Sequence, residues 1–245
     1  MERGEIVKLG AHRLMCGDAC EEDEVWLLMN GMRADLCLTD PPYMLNMQSW
    51  KAGAKVGSID VELMNQSRYF ERWFRSVYEV LREDGIFMCF GNYRSSIVYF
   101  MTMLRTGFST YDPIIWDKEY LQPGSVNFRN VYEVVNVGFK GKATITDRTA
   151  KNIYTQGWFS THGLYNHPAE KPEAFCRWLI QKGSPTGGTV VDLFGGSGTT
   201  LAACEREGRK CLMMEISPEY CDVIIRRYED MTGRKPESES QLCHK

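Results

Sequence analysis

The stretch Ala34-Asp35-Leu36-Cys37-Leu38-Thr39-Asp40-Pro41-Pro42-Tyr43 joins a mostly apolar run to a carboxylate, two prolines and an aromatic ring. A short apolar run of this length predicts a strand that is buried on both faces. The prolines end the strand and fix the turn that follows, because their rings lock φ. We therefore expect the acid and the ring at the carboxyl end of a strand, where open α/β sheets bind their ligands.

This strand end offers hydrogen-bond acceptors beside a stacking surface. Asp40 supplies a carboxylate, and the carbonyl groups beside Pro41 and Pro42 stay free to accept hydrogen bonds, since proline has no N–H to donate. Tyr43 adds an aromatic ring. The combination suits a planar base that carries an amino group. A turn with only a structural role is the alternative, because it can contain the same residues.

A second ligand-binding pattern is Phe194-Gly195-Gly196-Ser197-Gly198-Thr199-Thr200, between a predicted strand and a predicted helix. Glycines there let a ligand approach the backbone, and the amides of the helix start attract polar groups. The spacing is neither the GxGxxG of dinucleotide dehydrogenases nor the Gly-Lys-Ser/Thr of a P-loop. Glu215 ends the next predicted strand, where a carboxylate can accept both hydroxyls of a ribose. A ribose-bearing ligand without a di- or triphosphate is predicted, and a plain strand-helix turn is the alternative.

Strands and helices are predicted to alternate along most of the chain. The predicted strands are 13–17 (ending in Gly17-Asp18), 34–39, 86–90, 108–116, 131–139, 189–193 and 211–215. The predicted helices run through 26–28, 69–81, 94–106 and 170–182, and begin again at 197 or 198 and at 218. The strands at 108–116 and 131–139 are expected to form an antiparallel edge hairpin, and the aromatic stripe of the helix over 69–81 is expected in the core.

Composition limits the domain count and the cellular setting. A chain of 245 residues with 43% hydrophobic and 25% charged residues fits one sizeable α/β core, which we assign to 1–232, with a frayed tail over 233–245. The sequence has neither a membrane-length apolar stretch nor a signal-peptide pattern, so a cytoplasmic protein is expected. Nine scattered cysteines indicate reduced core thiols, without the spacing of a zinc site.

The net charge of −3 is unevenly distributed. Residues 1–40 hold nine acidic and four basic residues, which leaves the rest of the chain at +2. Much of the acidity is Glu21-Glu22-Asp23-Glu24, at a predicted helix start, where the helix dipole favours negative charge. The overall charge therefore does not exclude a nucleic-acid partner.

These motifs resemble those of the beta-class amino-group DNA methyltransferases, which transfer a methyl group from S-adenosylmethionine to adenine N6 or cytosine N4. Asp40-Pro41-Pro42-Tyr43 is similar to their catalytic motif, and the segment 192–200 to their cofactor loop. His167-Pro168-Ala169-Glu170-Lys171-Pro172 resembles the sequence that precedes that loop. The resemblance covers nearly the whole chain, with the catalytic motif before the cofactor loop.

The resemblance implies an α/β fold, a Rossmann-like S-adenosylmethionine-dependent methyltransferase fold in circularly permuted order. Its sheet would be mostly parallel and seven-stranded, with an antiparallel edge hairpin. The strand that ends at Gly17-Asp18 would follow, in space, the strand that ends at Glu215. Asp18 would then accept a hydrogen bond from the adenine amino group of the cofactor, whereas a surface-turn aspartate is the alternative.

The same resemblance assigns residues to the site. The catalytic residues implied are Asp40, Pro41, Pro42 and Tyr43. The cofactor-binding residues implied are Asp18, Asp40, His167, Lys171, Asp192, Phe194, Gly195, Gly196, Ser197, Gly198, Thr199, Thr200 and Glu215. No metal is expected.

Contacts with DNA are expected from loops, because no separate recognition domain is present. A mobile loop over about 44–66 and a small target-recognition insert over about 140–166 combine basic and aromatic residues, as nucleic-acid grooves do. The candidate DNA-binding residues are Asn46, Lys51, Lys55, Arg129, Lys142, Arg148 and Lys151. A target-recognition region this small would imply a short target site, help from a second subunit in a homodimer, or contacts from the loops at 44–66 and 118–130.

The function implied is site-specific methylation of the exocyclic N6 of an adenine flipped out of double-stranded DNA. An aspartate at the head of the motif favours adenine over cytosine N4, on resemblance alone. The alternatives are cytosine N4, a base in RNA, a catalytically silent partner subunit that binds DNA or cofactor, and, least favoured, a dehydrogenase.

Overall fold

The computed structural model describes residues 1–42, 56–119, 130–157 and 170–239, and only the backbone of residues 56–67. The strands are β1 (Ile6–Leu9), β2 (His12–Cys16), β3 (Ala34–Thr39), β4 (Leu81–Gly91), β5 (Ser109–Thr110), β6 (Ile114–Asp117), β7 (Tyr132–Phe139), β8 (Ile153–Thr155), β9 (Thr189–Asp192), β10 (Lys210–Glu215) and β11 (Glu237–Ser238). The helices are α1 (Glu22–Met29), α2 (Val56–Val80), α3 (Tyr93–Thr106), α4 (Glu173–Gly183), α5 (Thr199–Glu207) and α6 (Pro218–Thr232).

One twisted sheet organises the molecule, in the order β11-β1-β2-β10-β9-β3-β4-β7-β6-β8, with β5 beside β7. The five strands from β2 to β4 are parallel, and β7 is antiparallel to both of its main neighbours, β4 and β6. The predicted fold class, with seven main strands and β2 next to β10, is confirmed. The sheet is wider than predicted, because short strands extend both ends and β8 covers the edge of the β6–β7 hairpin.

Helices cover both faces of the sheet, as an α/β sheet with apolar residues on both faces requires. α1, α2 and α3 pack on one face, where Trp73 and Phe74 of α2 meet Phe87 of β4 and Phe70 packs beside them. α4, α5 and α6 pack on the other face, where Phe175 of α4 lies among the strand residues. The aromatic stripe of the second helix is therefore core, as predicted.

Several predicted boundaries are wrong. α2 begins at Val56, so residues 56–66 of the predicted loop are helical, and residues 43–55 lie outside the described part. The strand expected over 108–116 is split into β5 and β6 around Pro113, which has no N–H for a strand ladder. β11 pairs with β1, so a frayed end is wrong for Glu237–Ser238.

Eight of the nine cysteines lie in the described residues, where all eight are buried free thiols, as expected. Burial raises the pKa of the Cys37 thiol well above its ordinary value, which is typical of a packed and unreactive side chain. In the described part of the chain, no helix is long and apolar enough to cross a membrane.

Candidate active site

The four strands β2, β10, β9 and β3 are neighbours and parallel, so their carboxyl ends meet at one edge of the sheet. Each strand end carries one acid; in spatial order these are Asp18, Glu215, Asp192 and Asp40. All four line a cleft of about 580 Å³, within the volume range of small-molecule sites. The structure thus brings together the two motifs, which lie about 150 residues apart in the sequence.

The glycine loop, residues 194–200, runs from β9 into α5 and forms one wall of the cleft. Gly196 and Gly198 have φ values of 52° and 81°, in the left-handed region that favours glycine. A Cβ on Gly195 would lie 2.8 Å from the Met213 Cγ of β10, so only glycine fits there without a shift. The Phe194 ring packs edge-on against Trp73, with ring centroids 5.1 Å apart.

Arg227 of α6 supports this loop from below, and sequence reasoning missed it. Its guanidinium donates to the Ser197 carbonyl at 3.2 Å and to the Thr199 hydroxyl at 3.1 Å. It also pairs with Glu170 at 2.7 Å, and its side chain is buried. The only sequence signal was an arginine at a buried position of an amphipathic helix, which periodicity alone does not assign to a site.

Glu215 and Asp18 stand at the ends of β10 and β2. The Glu215 carboxylate accepts the Gly196 amide through Oε2 and the Ser217 amide through Oε1, both at 2.8 Å. Asp18 Oδ1 accepts the Cys20 amide at 2.9 Å. Backbone amides thus fix both carboxylates in orientation at the cleft.

Asp192 joins the two motifs beneath the cleft. Its Oδ1 accepts the Thr39 hydroxyl at 2.7 Å and the Phe194 amide at 3.1 Å, so it ties β3 to the start of the glycine loop. Burial raises its pKa to about 6, although these hydrogen bonds act in the opposite direction. Its position is typical of a side chain that holds two segments together, here called a brace, and not of a side chain that faces solvent.

Asp40 is held by a lysine and keeps one oxygen free. Lys171 Nζ lies 2.7 Å from Asp40 Oδ2 and 3.3 Å from Glu133 Oε2, and Lys118 Nζ lies 3.0 Å from Glu133 Oε1. Asp40 Oδ1 is buried and has no hydrogen-bond partner among the described residues. The carboxylate of the sequence motif is therefore anchored at one oxygen and open at the other.

The charges around Lys171 decide its protonation. Burial lowers the pKa of Lys171, but the carboxylates of Asp40 and Glu133 outweigh it and hold the pKa above the ordinary value. Burial likewise raises the pKa of Glu133, and the two lysines outweigh it and bring the pKa below its usual range. The buried groups are therefore an ammonium and a carboxylate at neutral pH.

Some candidate residues lie away from the cleft. Lys142, Arg148 and Lys151 are exposed, but they follow β7 or precede β8, at the sheet edge opposite the cleft. The candidates outside the described residues are Tyr43, Asn46, Lys51, Lys55, Arg129 and His167.

Two residues of the predicted basic and aromatic insert are structural. Lys140 is buried and donates to the Tyr78 and Leu81 carbonyls at the end of α2. The Tyr154 ring stacks on Phe175, with centroids 4.7 Å apart. Tyr154 is therefore partly buried against α4.

Other residues of the cleft were not foreseen. Phe90, Tyr69 and Tyr220 line it, and Ile216, directly after Glu215, is 56% exposed there. Among the described residues, no group of three or more His, Cys, Asp or Glu side chains is arranged to hold a metal ion. The chemistry of the cleft rests on carboxylates, backbone amides and a lysine.

The chain is similar to several DNA methyltransferases. The type II methyltransferase M2.DpnII of Streptococcus pneumoniae is 25% identical over 227 residues, which cover 80% of this chain and 82% of that protein. The PvuII DNA methyltransferase (cytosine-N4-specific) superposes with a TM-score of 0.70 at 21% identity, over 95% of this chain and 94% of that one. The M1.HpyAVI–SAM complex gives a TM-score of 0.66 at 22% identity, over 87% and 97%. At these identities the two structures establish the fold.

A family model described as DNA methylase, for N6 and N4 methyltransferases, matches residues 34–226. This range includes Asp40, Lys171, the glycine loop and Glu215, so it covers both sides of the cleft. The chain belongs to this DNA methylase family and is a DNA methyltransferase of the N6/N4 class.

Proposed function

We propose that the chain transfers a methyl group from S-adenosylmethionine to the exocyclic N6 of an adenine flipped out of double-stranded DNA. The observation that carries the proposal is Asp40, whose Oδ2 is anchored by Lys171 while its buried Oδ1 has no partner among the described residues. A buried acceptor without a partner is costly, so it favours a ligand that donates a hydrogen bond. An exocyclic amino group is such a donor.

The residues present fit S-adenosylmethionine. Glu215 is oriented to accept ribose hydroxyls, and the glycine loop leaves the backbone open to close approach. Ile216 offers an apolar surface for a planar ring beside that carboxylate. When bound, the cofactor supplies a methyl group as a sulfonium electrophile. M1.HpyAVI, which has this fold, was solved with the same compound.

The task left to the chain is to orient the amine and to stabilise the charge that develops on it. Asp40 Oδ1 and the Pro41 carbonyl would accept the two amino protons, which aims the nitrogen lone pair into the cleft. Such orientation is worth several orders of magnitude in rate. As the amine becomes positive, the fixed Asp40 carboxylate stabilises it, a contribution of about 1.5–3 kcal/mol for a charge-assisted hydrogen bond.

Base flipping is part of the proposal, because an amino group inside a duplex is out of reach of a cleft. Tyr43 is the candidate for stacking on the flipped base, at about 1–3 kcal/mol per base. Adenine is proposed over cytosine because the motif begins with aspartate, as in the adenine-specific members that the motif resembles.

Nucleoside analysis tests the proposal. The chain would be incubated with unmethylated DNA and methyl-labelled S-adenosylmethionine, and the digested nucleosides separated by chromatography. Label in N6-methyldeoxyadenosine is the expected result. Label in N4-methyldeoxycytidine would keep the reaction and change the base, whereas label in 5-methyldeoxycytidine, or none, would contradict the proposed chemistry.

A further inference from the structure

A chain of four charged side chains runs from the cleft into the β6–β7 hairpin, in the order Asp40, Lys171, Glu133, Lys118. The side chains of Lys171 and Lys118 are 6% and 3% exposed, and that of Glu133 is 13% exposed. The topology explains the arrangement, because β6 ends and β7 begins at the sheet edge where β3 ends. Charges are rarely buried in this number without a role for their arrangement.

We propose that Lys171 and Glu133 are positioning residues for methyl transfer, which hold Asp40 by Oδ2 so that Oδ1 faces the amine. The inference rests on the proposed function and assigns these residues to its transfer step. Lys171 acts through Asp40, and Glu133 acts through Lys171. This role differs from the cofactor contact that the sequence resemblance implied for Lys171.

Lys171 fixes the geometry of the carboxylate. Its Nζ approaches Oδ2 at 2.7 Å and lies 5.2 Å from the Phe90 ring centroid, so contacts on two sides hold the ammonium in place. A carboxylate with one oxygen held in this way presents the other oxygen in one direction. This anchoring explains why Asp40 Oδ1 is buried and yet has no hydrogen-bond partner among the described residues.

Glu133 fixes the charge of the carboxylate. A lone buried ammonium at 2.7 Å would neutralise much of the negative charge that Asp40 has to offer a positive amine. Glu133 shares that ammonium at 3.3 Å and is itself balanced by Lys118 at 3.0 Å. Two anions and two cations thus leave Asp40 oriented but still a strong acceptor.

The other titratable groups near Asp40 do not supply this balance. Asp192 of β9, Cys176 of α4, Cys89 of β4 and Tyr99 of α3 are all buried, and Asp40 is among the causes that raise the pKa of each. Desolvation is the largest cause for all four and favours their neutral forms. Among the described residues, Lys171 is therefore the cation in direct contact with Asp40.

Single-turnover kinetics with DNA test the inference on three variants of the full chain: Lys171→Met, Lys171→Arg and Glu133→Gln. We expect Lys171→Met to lower the transfer rate about 10- to 100-fold. We expect the Kd for S-adenosylhomocysteine to change less than about threefold. Lys171→Arg should restore much of the rate, because it retains the charge. Glu133→Gln, which preserves shape, should lower the rate by a smaller factor.

The pH profile gives a readout that structural damage would not move. Without the ammonium, the two carboxylates that Lys171 bridges lose the cation between them, and like charges disfavour each other, so the acidic limb of the rate profile should move to higher pH. Without the Glu133 charge, Lys171 acts on Asp40 alone, and the acidic limb should move to lower pH. If the charges are balanced as proposed, the acidic limb moves in opposite directions in Lys171→Met and Glu133→Gln.

Glu207→Gln is the matched control, since Glu207 is also a carboxylate held by a cation, Arg177 at 2.6 Å, and is not among the residues that line the cleft. It should leave the rate and the pH profile unchanged. Three results would overturn the inference alone: wild-type rates in Lys171→Met and Glu133→Gln, acidic limbs that move in the same direction in these two variants, or a loss of cofactor affinity equal to the loss of rate. Absence of transfer by the wild-type chain would overturn the proposed function with it.

Discussion

The two walls of the cleft are built by different means. The proposed cofactor side, formed by the glycine loop and Glu215, is held by backbone amides and by glycines in left-handed conformations. The proposed catalytic side, formed by Asp40, Lys171 and Glu133, is held by ion pairs between side chains from β3, the segment before α4, and β7. A wall that is held by backbone contacts keeps its shape whatever the charge of the ligand in the cleft. A wall that is held by ion pairs determines both the charge and the orientation of its side chains.

The segment before α4 joins the two walls. Glu170 pairs with Arg227, which supports the glycine loop, and the next residue, Lys171, pairs with Asp40. Adjacent side chains of one segment therefore connect to opposite sides of the cleft. Together with the hydrogen bond from Thr39 to Asp192, this arrangement fixes the two walls of the cleft relative to each other.

The largest effect is expected from Asp40→Ala, on the catalytic side. It removes the only carboxylate whose open oxygen is proposed to meet the amine, so the transfer rate should fall about 10²- to 10⁴-fold. Affinity for S-adenosylhomocysteine should stay close to wild type, because the cofactor side is untouched. Single-turnover assays with calorimetry measure both; transfer at the wild-type rate would refute the role of Asp40.

Arg227→Met breaks the support of the cofactor side. It leaves Glu170 buried without its ion pair and removes the bonds to the Ser197 carbonyl and the Thr199 hydroxyl. Loss of one partner of a buried pair costs about 3–5 kcal/mol, so the free energy of unfolding should drop by that order. Cofactor affinity should fall as the loop loses its support. Denaturant unfolding and calorimetry measure these, and unchanged affinity in the folded variant would argue against the support role.

A smaller effect is expected from Asp192, the brace between the two walls. Its pKa of about 6 lies above the usual aspartate value, so the folded state binds the proton more tightly than the unfolded state. Stability should therefore fall as pH rises from about 4 to 6, by up to about 3 kcal/mol. Asp192→Asn should remove that slope while it keeps an acceptor for Thr39. Parallel pH profiles of unfolding free energy in the two proteins would exclude the effect.

Sequence alone predicted that the glycine loop, Glu215 and Asp40 lie at strand ends of the sheet, but it did not predict the ion pairs around Asp40. The glycine loop, Glu215 and the strand end at Asp40 depend on local chemistry, namely φ preferences and strand periodicity, which a sequence displays directly. The ion pairs of Lys171 with Asp40 and Glu133 join residues that are far apart in the chain. No local pattern encodes those pairings, because they depend on how β7 and α4 are placed by the whole sheet.

The same limit explains the errors in the fold. The long α2 and the short strands β1, β8 and β11 are defined by pairing and packing with distant segments more than by their own periodicity. Chain direction also places Lys142, Arg148 and Lys151, which the sequence predicted to contact DNA, at the sheet edge opposite the cleft.

The central claim is that one wall of the cleft determines cofactor affinity and the other determines the transfer rate. It is tested most directly by the transfer rate of Glu215→Gln at saturating cofactor, measured beside that of Asp40→Ala. Glu215→Gln loses acceptors for the Gly196 and Ser217 amides and for a ribose, so its Kd should rise by about tenfold or more. Its rate at saturation should stay within about threefold of wild type, whereas Asp40→Ala should lose rate and keep affinity. Equal losses of rate and affinity in both variants would contradict the account.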